Sequence, residues 1–317
     1  MNIEVEHKDQ NGNITNQTYF ISRLAFIKHM AVAGMKYAPL PTKIMKIIGM
    51  FFQYNFYFQR SSFYNNKFSV PPNKIYDPTE KGQFSNLVGK AIADFLAKRI
   101  DNAIYTVNYE AAMKMKNMPI IGNRPDLLAF KNNETFAIEA KGYSGSAGNM
   151  DKHKQQSRTG GIPVNFTVAS VSYNLYERVK CNYYDPYNEN IRFDAELFKN
   201  LTRKYYAGFL KFLDYGDYKE NTYKNEGFYE IDLFYPLFWD KYFFDRNQII
   251  YCWKELFCYL RPKLIIPAKI RDFAKNGLTS EIKPFLFDYK DVNSKESERR
   301  IYIDNDRIGL KIERNGW

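Results

Sequence analysis

The stretch of sequence that decides the fold is RPDLLAFKNNETFAIEAKG, residues Arg124–Gly142. It contains two apolar runs rich in strand-forming residues, Pro125–Phe130 and Thr135–Lys141. The polar residues Lys131–Glu134 separate them. Two such runs joined by a short polar turn predict a β-hairpin.

The hairpin is expected to collect three ionisable side chains at one end. Residues two apart in a strand share a face, so Glu139 and Lys141 project together, and pairing of the two runs would bring Asp126 beside Glu139. A core excludes such a group unless its members pair or bind a metal. Two carboxylates suit Mg²⁺, and a neighbouring lysine can position or help deprotonate an attacking water. A surface hairpin with a simple Glu–Lys pair is the alternative, because Glu-x-Lys alone is a very common pattern.

The elements on either side of the hairpin extend the pattern. An apolar stripe at helical spacing predicts a helix over Thr79–Ile100, and Ala103–Tyr109 reads as a strand. After the hairpin, a short polar helix is expected over Asn149–Arg158. The apolar, β-branched run Ile162–Val171 suits a strand buried on both faces, as in a parallel crossover. The resulting order, αβββαβ, predicts an α/β fold.

With twelve residues between Asp126 and Glu139, the motif resembles that of the PD-(D/E)xK nuclease superfamily, which has the restriction-endonuclease-like fold. The resemblance covers Thr79 to Val171, under a third of the chain. It implies a central mixed sheet flanked by helices and Mg²⁺- or Mn²⁺-dependent hydrolysis of phosphodiester bonds. It also implies that Asp126, Glu139 and the carbonyl of Ala140 bind the metal, while Lys141 activates water.

The first helix departs from the superfamily pattern. Members often carry a glutamate there, commonly after a glycine, whereas this chain has Gly82-Gln83. Glu80 lies one turn before Phe84 on the apolar stripe and could serve instead. An equally good reading makes Glu80 a first-turn carboxylate that is favoured by the helix dipole.

The second helix carries polar residues like those that contact the scissile phosphate in some members of the superfamily. Gln155 is the candidate for that role, and Lys152 and Lys154 are candidates for nucleic-acid contact. A solvated basic helix explains these residues nearly as well. His153 could approach the site, although a solvated position is the favoured reading.

The amino-terminal quarter of the chain is basic. Residues 1–75 carry nine basic and three acidic side chains. The resulting charge of +6 is more than half of the net charge of +11 of the whole chain. No Asp or Glu occurs from Gln10 to Tyr76. This favours a surface that follows a phosphate backbone, with Lys43, Lys46 and Arg60 as candidate contacts. The alternative is a basic surface over a core of buried aromatic residues.

Three regions are therefore expected: a basic amino-terminal region (1–75), a nuclease core (76–172) and a carboxyl-terminal α/β extension (173–317) that completes or packs on the core. Within the extension, the sequence predicts a strand in Tyr173–Tyr184, a helix over Phe193–Leu213, a strand over Phe228–Phe238 and a helix over Gln248–Tyr259. The charged residues Asp288–Arg300 are expected to be a loop or exposed, followed by a short strand at Ile301–Ile303.

Several classes of protein do not match the sequence. The three cysteines lack disulfide or metal-ligand spacing, which favours reduced thiols and a cytoplasmic protein. The three histidines are too scattered for a zinc site. No glycine-rich phosphate-binding loop occurs. The most apolar window is too short to span a bilayer, and the amino terminus is not a signal peptide, so no membrane association is expected.

The sequence thus predicts a Mg²⁺-dependent nuclease acting on DNA. By analogy, a role in bacterial restriction or anti-phage defence follows, with a homo-oligomer or a defence-system protein as partner. Two alternatives stay open. One is a catalytically silent nucleic-acid-binding or assembly subunit that keeps the fold, and the other is an RNase that uses the same site.

Overall fold

A computed structural model describes residues 1–35, 46–47, 49–50, 54–70, 78–188, 193–214, 217–233, 261–278, 280–290 and 299–313. The described residues up to Phe198 form one compact unit, and those from Lys199 onward form a second. Both units mix helices with a sheet, so the chain has the α/β character that the sequence predicts.

The first unit is built on a mixed sheet of seven strands, in the spatial order β2-β1-β7-β6-β5-β4-β3. Neighbouring strands are antiparallel except for the parallel pairs β5–β6 and β1–β7. The strands are β1 (Asn2–Lys8), β2 (Ile14–Phe20), β3 (Tyr105–Asn108), β4 (Leu127–Lys131), β5 (Glu134–Gly142), β6 (Phe166–Tyr173) and β7 (Lys180–Asn188).

The described residues of the first unit also form helices. They are α1 (Arg23–Val32), α2 (Arg60–Tyr64), α3 (Pro78–Ile100), α4 (Tyr109–Met115) and α5 (Met150–Arg158), with a 3₁₀ turn at Asn55–Phe58. The long helix α3 packs on β5, β6 and α1, whereas α5 packs on β5 and β6. The strand that follows α5 is parallel to the strand before it, as expected for a crossover.

The central hairpin forms as the sequence predicts. Strands β4 and β5 pair antiparallel, with Leu127 opposite Ile138 and Lys131 opposite Glu134. The turn between them is Asn132-Asn133, and Asn133 adopts a φ of 61°, a conformation that asparagine tolerates better than most residues. This register determines which residues meet at the open end of the hairpin.

The predicted order αβββαβ is present, with corrections. Helix α4 interrupts it, and Tyr109, expected in a strand, begins this helix because the Asn108 side chain accepts a hydrogen bond from the Ala111 amide and caps it. Strand β6 starts at Phe166 instead of Ile162, although it is buried along almost its whole length as expected.

The amino-terminal region contributes to the core of the first unit. Strand β1 pairs with β7, and a cluster of buried aromatic rings joins α1 to the start of α3. The rings in mutual contact are those of Phe26, Phe58, Phe63, Phe68 and Phe84. The aromatic residues described in this region therefore match the alternative reading, a buried core.

The second unit contains an antiparallel sheet of six strands in the order β11-β12-β13-β10-β9-β8. The strands are β8 (Tyr218–Tyr223), β9 (Glu226–Asp232), β10 (Pro262–Pro267), β11 (Phe287–Lys290), β12 (Arg299–Ile303) and β13 (Gly309–Ile312). Helix α6 (Ala195–Leu210) leads into this unit, a 3₁₀ turn at Lys211–Asp214 continues it, and α7 is Ile270–Asn276.

The carboxyl-terminal predictions hold in part. The predicted helix at Phe193–Leu213 and strands at Tyr173–Tyr184 and Ile301–Ile303 correspond to α6, β7 and β12. A loop over Asp288–Arg300 is wrong at both ends, where β11 and β12 pair with each other, although Tyr289 is exposed, as the other reading of this segment expects. Positions 234–238 of the predicted strand, the predicted helix Gln248–Tyr259 and positions 291–298 lie outside the described residues.

Candidate active site

The open end of the hairpin holds Asp126 and Glu139 close together. The amide of Asp126 donates to the carbonyl of Ile138 at 3.0 Å, so Asp126 continues the β4–β5 ladder opposite Glu139. The amide of Ala140 donates to Asp126 Oδ2 at 3.2 Å and fixes the carboxylate beside the strand. Backbone pairing therefore fixes the positions of both residues, and the Ala140 amide also holds the Asp126 carboxylate.

Lys141 joins these two carboxylates. Its Nζ lies 2.5 Å from Glu139 Oε1 and 3.3 Å from Asp126 Oδ2. The two-residue spacing of Glu139 and Lys141 along β5 places both side chains on the same face as Asp126. The structure thus brings together the three residues that the sequence singled out.

A fourth member, Lys90 of α3, was not foreseen from the sequence. Its Nζ lies 2.9 Å from Asp126 Oδ1. The preceding residue, Gly89, packs against the backbone of β5: a Cβ placed on it would lie 2.4 Å from the carbonyl carbon of Lys141. A glycine inside a helical apolar stripe often marks such a close approach, and that was the available clue.

Burial is what sets Glu139 apart. Its side chain is 0% exposed, whereas Asp126 is 19% and Lys141 is 27% exposed. Among the described residues, no hydrogen-bond donor reaches Glu139 Oε2. Burial, and then the negative charge of Asp126, raise the pKa of Glu139 to about 7. A buried carboxylate oxygen without a donor is unfavourable unless a ligand completes it.

The pKa of Lys141 is raised as well, which for a lysine favours the charged form. Burial alone would lower the pKa of Lys141, but the charges of Asp126 and Glu139 outweigh this effect and raise it above its usual value. Lys141 is therefore held firmly in its cationic form in this arrangement. A protonated lysine can neutralise an anion or donate to it, but it cannot accept a proton.

The donor set fits a hard divalent cation. The two carboxylates of Asp126 and Glu139 supply the oxygen ligands that Mg²⁺ and Mn²⁺ take, and Ala140 lies between Glu139 and Lys141 on the same strand end. The unpartnered Oε2 of Glu139 is the oxygen that gains most from a ligand. The part of the chain that the structure describes contains no cluster of three or more His, Cys, Asp or Glu residues for a metal.

The two further candidates for the site are Glu80 of α3 and Gln155 of α5. Glu80 precedes Lys90 by ten helical residues, which is about 15 Å along the axis of α3. Its charge is felt at Tyr54, where burial and then Glu80 raise the tyrosine pKa. Gln155 is exposed on α5, whereas its neighbour Gln156 donates to the carbonyl of Arg124 at 3.4 Å.

The candidate nucleic-acid contacts occupy varied positions. Lys152 is exposed, and Lys154 pairs with Asp151 at 3.3 Å. Arg60 is exposed, with its guanidinium 6.0 Å from the centre of the Tyr64 ring. Lys46 is half-buried. Burial, and then the positive charge of Lys90, lower the pKa of Lys46, so the two lysines lie near each other. Lys43 lies outside the described residues.

His153 corrects an expectation. It is 9% exposed instead of solvated, because its ring packs against Tyr143, whose hydroxyl lies 3.1 Å from His153 Nε2. Burial and then the charge of Lys141 lower the pKa of His153, so the neutral imidazole is favoured. The histidine thus lies within the electrostatic reach of Lys141.

Cys181 is a buried free thiol in β7, whereas Cys252 and Cys258 lie outside the described residues. Among the residues described, no helix has the length and apolar character needed to cross a membrane. Comparisons of this chain with protein-family models, with curated proteins and with solved structures find no match.

Proposed function

We propose that this chain is a Mg²⁺-dependent nuclease that hydrolyses phosphodiester bonds in DNA, on a restriction-endonuclease-like core. The observation that carries the proposal is the meeting of Asp126, Glu139 and Lys141 at one end of a hairpin, with Glu139 fully buried and one of its oxygens unpartnered. The mixed sheet, the parallel β5–β6 crossover and the order of elements support the fold assignment.

Each residue has a definable task in this chemistry. Asp126 and Glu139 would hold the cation, with the Ala140 carbonyl as a further ligand. When bound, a divalent cation polarises the phosphate and lowers the pKa of bound water. Because its pKa is raised, Lys141 is suited to orient water and to neutralise negative charge that develops on the phosphate, and less to removing a proton.

One observation favours a second candidate, a catalytically silent nucleic-acid-binding subunit. Lysine side chains contact both oxygens of Asp126, with Lys90 at 2.9 Å and Lys141 at 3.3 Å. Such pairing compensates the carboxylate without a metal. An RNase would use the same residues. Roles in restriction or anti-phage defence, a homo-oligomeric state and a defence-system partner all rest on analogy with the superfamily.

The experiment is to incubate the purified full chain separately with plasmid, single-stranded DNA and RNA, in Mg²⁺, in Mn²⁺ and in excess EDTA. The proposal expects DNA to be cut in either metal and to stay intact in EDTA, since two carboxylates alone do not stabilise the transition state. Undiminished cleavage in EDTA would contradict it. Cleavage restricted to RNA would support the RNase alternative, and DNA binding without any cleavage would support the silent subunit.

A further inference from the structure

Asp126 is shared between two lysines, and they do not hold it equally. Lys90 Nζ lies 2.9 Å from Oδ1, whereas Lys141 Nζ lies 3.3 Å from Oδ2 and only 2.5 Å from Glu139 Oε1. Lys141 therefore pairs more closely with Glu139 than with Asp126, and Lys90 is the closer of the two lysines to Asp126. A cation that takes Asp126 Oδ1 as a ligand therefore competes with the ammonium group of Lys90 for that oxygen.

The side chain of Lys90 can rotate, whereas its backbone is fixed. The backbone is held by the neighbouring Gly89, which has no room for even a methyl group against Lys141 and Gly142. The Lys90 side chain is 34% exposed, with four methylene groups that can carry the ammonium outward. Exchange between two partners thus requires side-chain rotation and no shift of the helix.

The charges around Lys90 favour an anion as the second partner. Lys46 lies close enough for the Lys90 charge to be felt there, and Lys141 is on the other side of Asp126. If Asp126 is engaged by a divalent cation, Lys90 faces these positive charges without its carboxylate. A backbone phosphate at the site would then be the natural counterion.

We propose that Lys90 is a phosphate-binding residue of this site, which rests on Asp126 and transfers to a backbone phosphate of the bound nucleic acid. The inference rests on the proposed function, because it takes Asp126 as a cation ligand. Lys90 then competes with the divalent cation for Asp126 in the free protein. Bound nucleic acid removes that competition, so nucleic acid and cation bind cooperatively, and the coupling is reciprocal.

The test uses the full chain with Lys90→Gln and Lys90→Met. The control is Lys81→Gln, which removes one positive charge from the same helix at a residue whose ammonium lies over the Tyr176 ring. Mn²⁺ alone is titrated by calorimetry without nucleic acid. Both Lys90 variants should bind Mn²⁺ about tenfold more tightly than the parent, as expected for removal of one partly exposed competing charge. Lys81→Gln should not change the affinity.

A second measurement, the affinity for nucleic acid, should change in the opposite direction. Binding of a short single-stranded oligodeoxythymidylate in EDTA should weaken about fivefold in both Lys90 variants, as expected for loss of one charged contact. Loss of a residue that only supports the fold would not raise the affinity for one ligand while it lowers the affinity for the other. Matched melting temperatures show that the variants are folded.

The outcomes separate this inference from the proposed function. If Glu139→Gln abolishes Mn²⁺ binding while the Lys90 variants bind Mn²⁺ and oligonucleotide like the parent, the role of Lys90 is wrong and the metal site stands. If Mn²⁺ binding survives in both Glu139→Gln and Asp126→Asn, the metal site itself is wrong. An absence of Mn²⁺ binding in every variant contradicts both.

Discussion

Gly89 lies directly against the backbone of Lys141, and a Cβ on Gly89 would lie 2.4 Å from the carbonyl carbon of that residue. The contact is reciprocal, since a Cβ on Gly142 would lie 1.9 Å from the carbonyl oxygen of Ser85. Helix α3 can therefore approach β5 closely at the position where Lys141 leaves the strand. This approach is what brings Lys90 within 2.9 Å of Asp126.

The first prediction compares two glycines of α3. Gly89→Ala should destabilise the protein by about 1–3 kcal/mol, because the added methyl group must push the helix off the strand. Gly82→Ala should stabilise it by up to about 1 kcal/mol, since alanine is the better helix former and nothing lies within 4 Å of the added Cβ. Urea denaturation of the two variants and the parent measures both effects. Equal stability of Gly89→Ala and the parent would refute the tight contact.

The same two glycines show where sequence reasoning reached its limit. The helix itself was predictable, because its apolar stripe recurs at a local helical period. Which part of the helix faces the site was not, because that depends on contact with a strand about fifty residues later in the chain. Gly82-Gln83 matched the superfamily pattern in its glycine alone, whereas the glycine that packs on β5 is Gly89, followed by Lys90.

Other parts of the fold also differ in how far the sequence alone predicts them. The hairpin of β4 and β5 follows from alternation and a short turn, so Asp126, Glu139 and Lys141 could be placed together in advance. The pairing of β1 with β7 joins Glu4 to Lys180 and has no local pattern to announce it. Helix α4 was missed although the capping residue Asn108 and the helix-forming Glu110-Ala111-Ala112 were readable.

The second prediction concerns pH. Burial, with the nearby charge of Asp185, raises the pKa of Asp101 to about 6, although the hydroxyl of Tyr183 donates to its carboxylate. The folded state thus holds the Asp101 proton more tightly than the unfolded state. Its contribution to stability is greatest below about pH 4, is lost as the pH rises from about 4 to 6, and stays absent above that.

Asp101→Asn removes this pH dependence and keeps an oxygen that can accept from Tyr183. The variant should gain stability over the parent by about 1–3 kcal/mol at pH 8 and by much less at pH 4. Denaturant unfolding at both pH values measures the difference. A gain of the same size at both would show that titration of Asp101 is not its cause.

The third prediction concerns the basic amino-terminal region. Replacing Lys43, Lys46 and Arg60 with alanine should weaken DNA binding and reduce the slope of log affinity against log salt by about 0.9 per lost duplex phosphate contact. Lys219→Ala, an exposed lysine of β8 in the second unit, is the control and should leave the slope unchanged. If the triple variant binds with the parent's affinity and slope, this region serves the core or a protein partner.

The central claim is that Asp126, Glu139 and Lys141 form a catalytic metal site. Its most direct test is the rate of DNA cleavage in Mg²⁺ by the parent chain and by Lys141→Ala, Glu139→Gln and Asp126→Asn, with melting temperatures matched across the set. Loss of Lys141 should lower the rate by about 10²–10⁴, the usual range for one group that acts on water or protons. Loss of either carboxylate should lower the rate at least as much while DNA is still bound. If all three variants cut DNA as fast as the parent, the assignment of the site is contradicted.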